Sequence, residues 1–88
     1  MKHISDEKML DVLAKVQTQQ ASILRKGYSI HIDASIHEDL VDNDHYIGID
    51  VTFFDENTLI KSFDFSAFDT EEELDAMFRL FIGFVNSL

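Results

Sequence analysis

Apolar residues recur at helical spacing from residue 5 to 26 and again from 70 to 88, and between these segments they alternate singly with polar ones. In the first segment Met9, Leu10, Leu13, Val16, Ile23 and Leu24 share one face, with Gln20 as a polar interruption, which predicts one helix over 5–26. Ser5 suits its N-cap, Asp6 and Glu7 suit the positive end of the dipole, and Ile4 with Met9 suits a hydrophobic staple. Arg25 and Lys26 fall in the last turn, and Gly27 takes the left-handed position that ends it. The polar face (Lys8, Asp11, Lys15, Gln17, Thr18, Gln19, Ser22) is expected to be solvated. Its uncharged second half is cheap to desolvate, and so also fits a partner contact.

The middle of the chain reads as three strands. Tyr28, Ile30, Ile32, Ala34 and Ile36 alternate with Ser29, His31, Asp33 and Ser35, which predicts a half-buried strand over 28–36. Over 45–54, Ile47, Ile49, Val51 and Phe53 point inward while Tyr46, Gly48, Asp50 and Thr52 point outward. Asp55-Glu56-Asn57 supplies turn chemistry, and a third strand over 58–65 turns Leu59, Phe63 and Phe65 to the core. Lys61 interrupts that face, as an edge position allows. Thr70 with Glu73 forms a capping box for the last helix, with Phe68 expected beneath its entry. Leu74, Met77, Phe78, Phe81, Ile82, Val85 and Leu88 make one apolar stripe of that helix, and Leu80 and Phe84 a second beside it. The predicted class is α+β with order α-β-β-β-α: a three-stranded antiparallel meander with both helices packed on one face, in a single domain over 1–88.

This element order is similar to that of the double-stranded-RNA-binding domain. That family holds phosphates with basic residues at the start of its second helix. Here Glu71-Glu72-Glu73 stand at that position and repel phosphates, so the similarity of order implies no RNA binding.

Charge changes the picture most. The 88 residues carry 7 Lys and Arg against 17 Asp and Glu, a formal net charge of -10. Direct nucleic-acid binding is therefore not expected. No apolar run reaches the roughly 18 residues of a membrane span, and the N-terminus lacks a signal-peptide pattern. Cysteine is absent, which excludes disulfides and thiolate metal ligands and fits a cytoplasmic protein. The acids occupy both helix starts, the segment after Ile36, the hairpin turn, and the outer sheet face through Asp33 and Asp50, with Asp64 as a further candidate.

Candidate catalytic constellations are few. Pairing Ile32 with Ile49, and Phe53 with Leu59, would set His31, Asp50 and Ser62 in one row. The carboxylate is then central, whereas a hydrolytic triad needs the imidazole between acid and hydroxyl. The segment 37–45 reads as a mobile acidic loop with four carboxylates between His37 and His45, and with Leu40 and Val41 in its middle. Its spacing fails the calcium-loop pattern, since Ile47 stands where glycine is needed if Asp42 and Asp44 are ligands. No metal, cofactor or catalytic residue is expected, and His3 falls in a terminus expected to fray. The expected function is that of a non-enzymatic, acidic protein–protein interaction domain. Its sharper form is an inhibitor or immunity-type protein that binds a basic, nucleic-acid-handling partner through Asp33 and Asp50, with Asp42 and Asp44 at the rim. The alternative is a structural or adaptor subunit acting as a homodimer through Leu80, Phe84 and Leu88.

Overall fold

In the structure, a computed structural model that describes residues 3–88, the segment expected as one helix is two: α1, Asp6–Gln17, and α2, Gln20–Arg25. Ser5 Oγ accepts the Lys8 N–H at 3.2 Å, and Ile4 and Met9 are both buried, as a capped and stapled start requires. The break falls at Thr18. Its hydroxyl donates to the Lys15 carbonyl at 2.6 Å, and the Gln19 N–H bonds the Val16 carbonyl only three residues back. A threonine hydroxyl placed in this way competes with the helical ladder. The buried set is then Met9, Val12, Val16 and Ile23, while Leu10 and Leu24 are exposed, so the apolar stripe is rotated from the one expected. Two segments can follow the twist of the sheet where one straight helix cannot: α1 lies against β2 and α2 against β1. Gly27 closes α2 with φ of +92°. Lys26 Nζ donates to the Val85 carbonyl at 2.8 Å, a cation at the negative end of the last helix.

The strands are β1, Ser29–Asp39, β2, Asp44–Asp55, and β3, Thr58–Ser66, in sheet order β1-β2-β3 with both pairings antiparallel. Most of the segment expected as a loop is therefore ladder, closing with Asp39 opposite Asp44. Asp39 is the cause. It is buried, and its Oδ1 accepts the N–H groups of Val41 at 3.1 Å and Asp42 at 3.3 Å. Such an Asx turn fixes the chain against the repulsion of its charges. Asn43 completes the turn at φ of 51°, and Leu40 and Val41 form an exposed apolar tip. The second hairpin closes through Glu56 and Asn57 alone, at φ of 47° and 73°, the geometry that matches strand twist.

A bulge between Phe53 and Phe54 sets Phe53 opposite Lys61 and Phe54 opposite Leu59. Leu59, expected in the core, is consequently exposed. Lys61 keeps its edge role, with Nζ 5.5 Å from the centre of the Phe63 ring. The last helix is α3, Glu71–Ser87, opened by the expected capping box: Thr70 Oγ1 accepts the Glu73 N–H at 3.1 Å, and the Thr70 N–H donates to Glu73 Oε1 at 3.3 Å. Leu74, Phe81 and Val85 of α3 pack with Ile49, Val51, Phe53, Phe63, Phe65 and Ala67, so both helical regions cover one face of the sheet. The second stripe of α3 is narrower than the sequence implies. With Leu59 turned out, Phe84 covers Phe53 and Phe63, at ring distances of 4.9 and 5.9 Å, and Leu88 also packs on the core. Leu80 alone of the three stays exposed, at 63%.

Candidate functional site

The uncovered face of the sheet is built in rows by the two hairpin registers. Asp33 stands opposite Asp50, and Asp50 opposite Asp64, so three carboxylates cross the middle of the face in one line. The row His31–Thr52–Ser62 lies on one side of it and Ser35–Gly48–Ser66 on the other. The row His31, Asp50, Ser62 considered from sequence does not form. Both registers differ from that assumption by two residues, which moves His31 and Ser62 to Thr52 and gives Asp50 two acidic neighbours. From sequence, Asp64 is only a candidate member of the face. Counting back from the second turn, where Asp55 meets Thr58, would set Asp50 against Phe63; the bulge between Phe53 and Phe54 moves the pairing by one residue and brings Asp64 into the row.

No lysine or arginine offsets the row from within the sheet. Lys61 is the single Lys or Arg between residues 29 and 66, and it lies on the helix side, opposite Phe53. Lys8 and Lys15 are engaged elsewhere, with Asp75 at 3.4 Å and Asp11 at 3.0 Å. Like charges directly opposite across strands destabilise a sheet. The Asp50 carboxyl is accordingly held above the usual carboxylate range. The first cause is a side-chain hydrogen bond with Asp64, followed by desolvation and by repulsion from Asp64 and Asp33. His37 acts in the opposite direction.

His37 lies across the same face. Its Nε2 is 2.9 Å from Ser35 Oγ, and its ring stacks on Tyr46 at 5.2 Å. A Cβ on Gly48 would come within 3.0 Å of that Nε2, so the bare glycine gives the ring its seat. From sequence His37 falls in the loop after Ile36; the ladder instead runs to Asp39, which puts His37 on the same face as Ser35. Among the described residues no carboxylate hydrogen-bonds the ring, so it lacks the orienting third member of a triad. His31 rests on Phe54 at 5.1 Å, in a shallow recess lined by Ser29, Phe54 and Asn57, none of them acidic.

His3, expected to fray, is instead the anchor of the far end of the sheet. Its ring stacks on Tyr46 at 5.4 Å and meets Phe68 edge-on at 4.6 Å, while Nε2 sits 3.4 Å from Asp39 and 3.9 Å from Asp44. Phe68 fills this cluster, edge-on to Tyr46 at 4.2 Å. Asp44 is thus turned partly toward His3, and its Oδ1 accepts the His45 N–H at 2.8 Å, while Asp42 stands exposed on the turn. Among the described residues no group of three His, Asp or Glu side chains is placed to hold a metal ion. Asp39→Ala removes the acceptor of two turn N–H groups and leaves His3 buried without its nearest carboxylate. The expected cost is about 1.5–3 kcal/mol of stability in urea denaturation, the range for hydrogen bonds to a charged group. A loss below about 0.5 kcal/mol would show that the turn holds without it.

The site defines a class: a small α+β domain whose open sheet face is acidic, and in which no described helix is long and apolar enough to cross a membrane. Comparison with protein-family models, curated proteins and solved structures finds no match to this chain.

Proposed function

We propose that the protein is a non-enzymatic interaction domain that binds a basic protein surface through the outer face of its sheet, as an inhibitor or immunity-type protein opposing a nucleic-acid-handling partner does. The observation that carries this reading is the row Asp33–Asp50–Asp64. Like charges set opposite one another are expected to cost stability in the free protein, the row lies at the centre of an open face, and among the described residues of the sheet no lysine or arginine lies on its side. An incoming Arg or Lys relieves that repulsion and gains a charge-assisted hydrogen bond, so the energy lost in the free state is recovered on binding. Asp42, exposed on the turn at the end of the sheet, contributes to encounter rather than to the bound contact, with Asp44 beside it turned partly to His3. The shallow recess beside His31 has no acidic group in its lining and offers no base–orienter pair, which favours binding over catalysis. The lack of cysteine fits a reducing, cytoplasmic setting.

The test starts from partner capture at low salt, with the wild-type chain and with a variant carrying Asp33→Asn, Asp50→Asn and Asp64→Asn together. The wild type is expected to retain a basic protein at about 50 mM salt and to release it progressively toward 500 mM, as screening shortens the reach of the charges. The triple variant is expected to retain none. A partner held equally by both proteins at both salt concentrations would reduce the acidic face to a solvation device.

A further inference from the structure

The two edges of the sheet are unlike. The edge of β3 is guarded: a bulge interrupts its pairing, and Lys61 sits beside that bulge. Both devices discourage a further strand from adding. The edge of β1 has neither. Its 11 residues, Ser29–Asp39, pair with β2 without a register break and contain no Lys, Arg, Pro or Gly. Among the described residues no third element bonds to the β1 backbone. The helix layer also stops short of it. Ile36, on the helix side of the sheet, is 72% exposed, and with Leu10, Ala34, Ser35 and Ile47 it lines an apolar recess open to solvent.

We propose that the free edge of β1 pairs antiparallel with the β1 edge of a second copy, about a twofold axis at Ala34, and joins the two sheets into one of six strands. The sequence Ile32-Asp33-Ala34-Ser35-Ile36 selects both the occupant and the register. About Ala34 it is self-complementary: Ile32 meets Ile36 of the second copy on the helix side, and Asp33 meets Ser35 on the outer side. Centring the axis on Asp33 would set that carboxylate against itself. Centring it on Ser35 would set Ile36 against Ala34, and centring it on Ile32 would set Ile36 against Tyr28, outside the strand. Over Ile32–Ile36 the Ala34 register covers the exposed Ile36 with an isoleucine and makes no acid–acid pair on the outer side, over a ladder of about 15–20 Å. The isoleucine left exposed in one copy is the residue that the other copy covers, which is what a twofold contact requires.

This pairing leaves both outer faces on the same side of the joined sheet, so the two aspartate rows form one surface. The inference does not rest on the proposed function, and salt separates the two. Each copy carries a formal charge of -10, so self-association must tighten as salt screens the repulsion, whereas binding of a basic partner must weaken.

Sedimentation velocity on the full chain from about 1 to 500 µM, at about 50 and 500 mM salt, tests it. A dimer is expected that strengthens at the higher salt. Ile36→Lys adds to β1 the guard that β3 already has, at a position too exposed to disturb the fold, and is expected to weaken the dimer at least roughly tenfold. Leu80→Asp, on the exposed surface of α3, is expected to leave the dimer intact. Amide exchange supplies an independent reading, with alternate amides of β1 gaining protection as concentration rises and those of β3 unchanged. A chain that stays monomeric over the whole range overturns the proposal. So does a dimer that survives Ile36→Lys, or one that Leu80→Asp dissolves.

Discussion

Phe81→Ala is expected to lower the free energy of unfolding by about 3–5 kcal/mol. Phe81 is wholly buried and is the hub of the aromatic core, with ring centres of Phe63 at 5.7 Å, Phe53 and Phe78 at 5.9 Å and Phe65 at 6.2 Å. Removing the ring loses its transfer free energy, leaves a void that the surrounding rings cannot fill without leaving their rotamers, and forfeits edge-to-face contacts worth about 0.5–1.5 kcal/mol for each pair. A domain of this size has about 5–10 kcal/mol in total, so the variant sits near the limit of folding. Phe81→Leu keeps most of the volume and is expected to lose much less, about 1–1.5 kcal/mol. Leu80→Ala, one residue away but 63% exposed, is expected to change stability by less than about 0.5 kcal/mol. Urea denaturation of the three variants measures the contrast. Equal losses for Phe81→Ala and Leu80→Ala would contradict the placement of α3 on the sheet.

Asp50→Asn is expected to move two observables in opposite directions. In the free protein it removes the middle charge of the row, and stability at pH 7 rises by about 0.5 kcal/mol, a modest figure because all three carboxylates reach solvent. The pH dependence follows from the direction of the Asp50 shift. A carboxyl whose pKa is raised in the folded state binds its proton more tightly folded than unfolded. The wild type therefore loses stability as pH climbs from the ordinary aspartate value of about 3.9 through the raised one. The advantage of Asp50→Asn is full above that window and vanishes below it. In the proposed complex with a basic partner the sign reverses. An Arg or Lys of the partner, buried against the neutral amide of the variant, has lost its counter-charge, and dissociation accelerates by the equivalent of roughly 2–5 kcal/mol. Asp42→Asn, on the exposed turn, is expected to slow association modestly and to reduce its salt dependence, with little change in dissociation. Thermal melts from about pH 3 to 8 and surface-binding kinetics with the captured partner separate the two effects. A variant that is more stable and binds as well as the wild type would show that the aspartate row serves no partner.

Element type and order were legible in the sequence because they rest on local periodicity. The alternation of Tyr28 through Ile36, the capping box at Thr70 and the Asn57 turn each carry their own physical signal within a few residues. The acidity of the outer face was legible for the same reason, since alternation alone places Asp33 and Asp50 opposite the apolar positions. What the sequence left open depended on groups that meet only after folding. The register of the sheet, and with it the row that includes Asp64, was set by the buried Asp39 carboxylate closing the first hairpin and by the bulge at Phe53 shifting the second. The fate of Phe84 followed from that bulge, because Leu59 turned outward and left Phe53 and Phe63 to be covered. His3 gained its place only once Tyr46 and Phe68 had been brought beside it, as no local pattern near the start of a chain encodes a stacking partner more than 40 residues away. Periodicity fixes which face a residue shows, whereas its neighbours on that face are fixed by where the turns close and what is buried there.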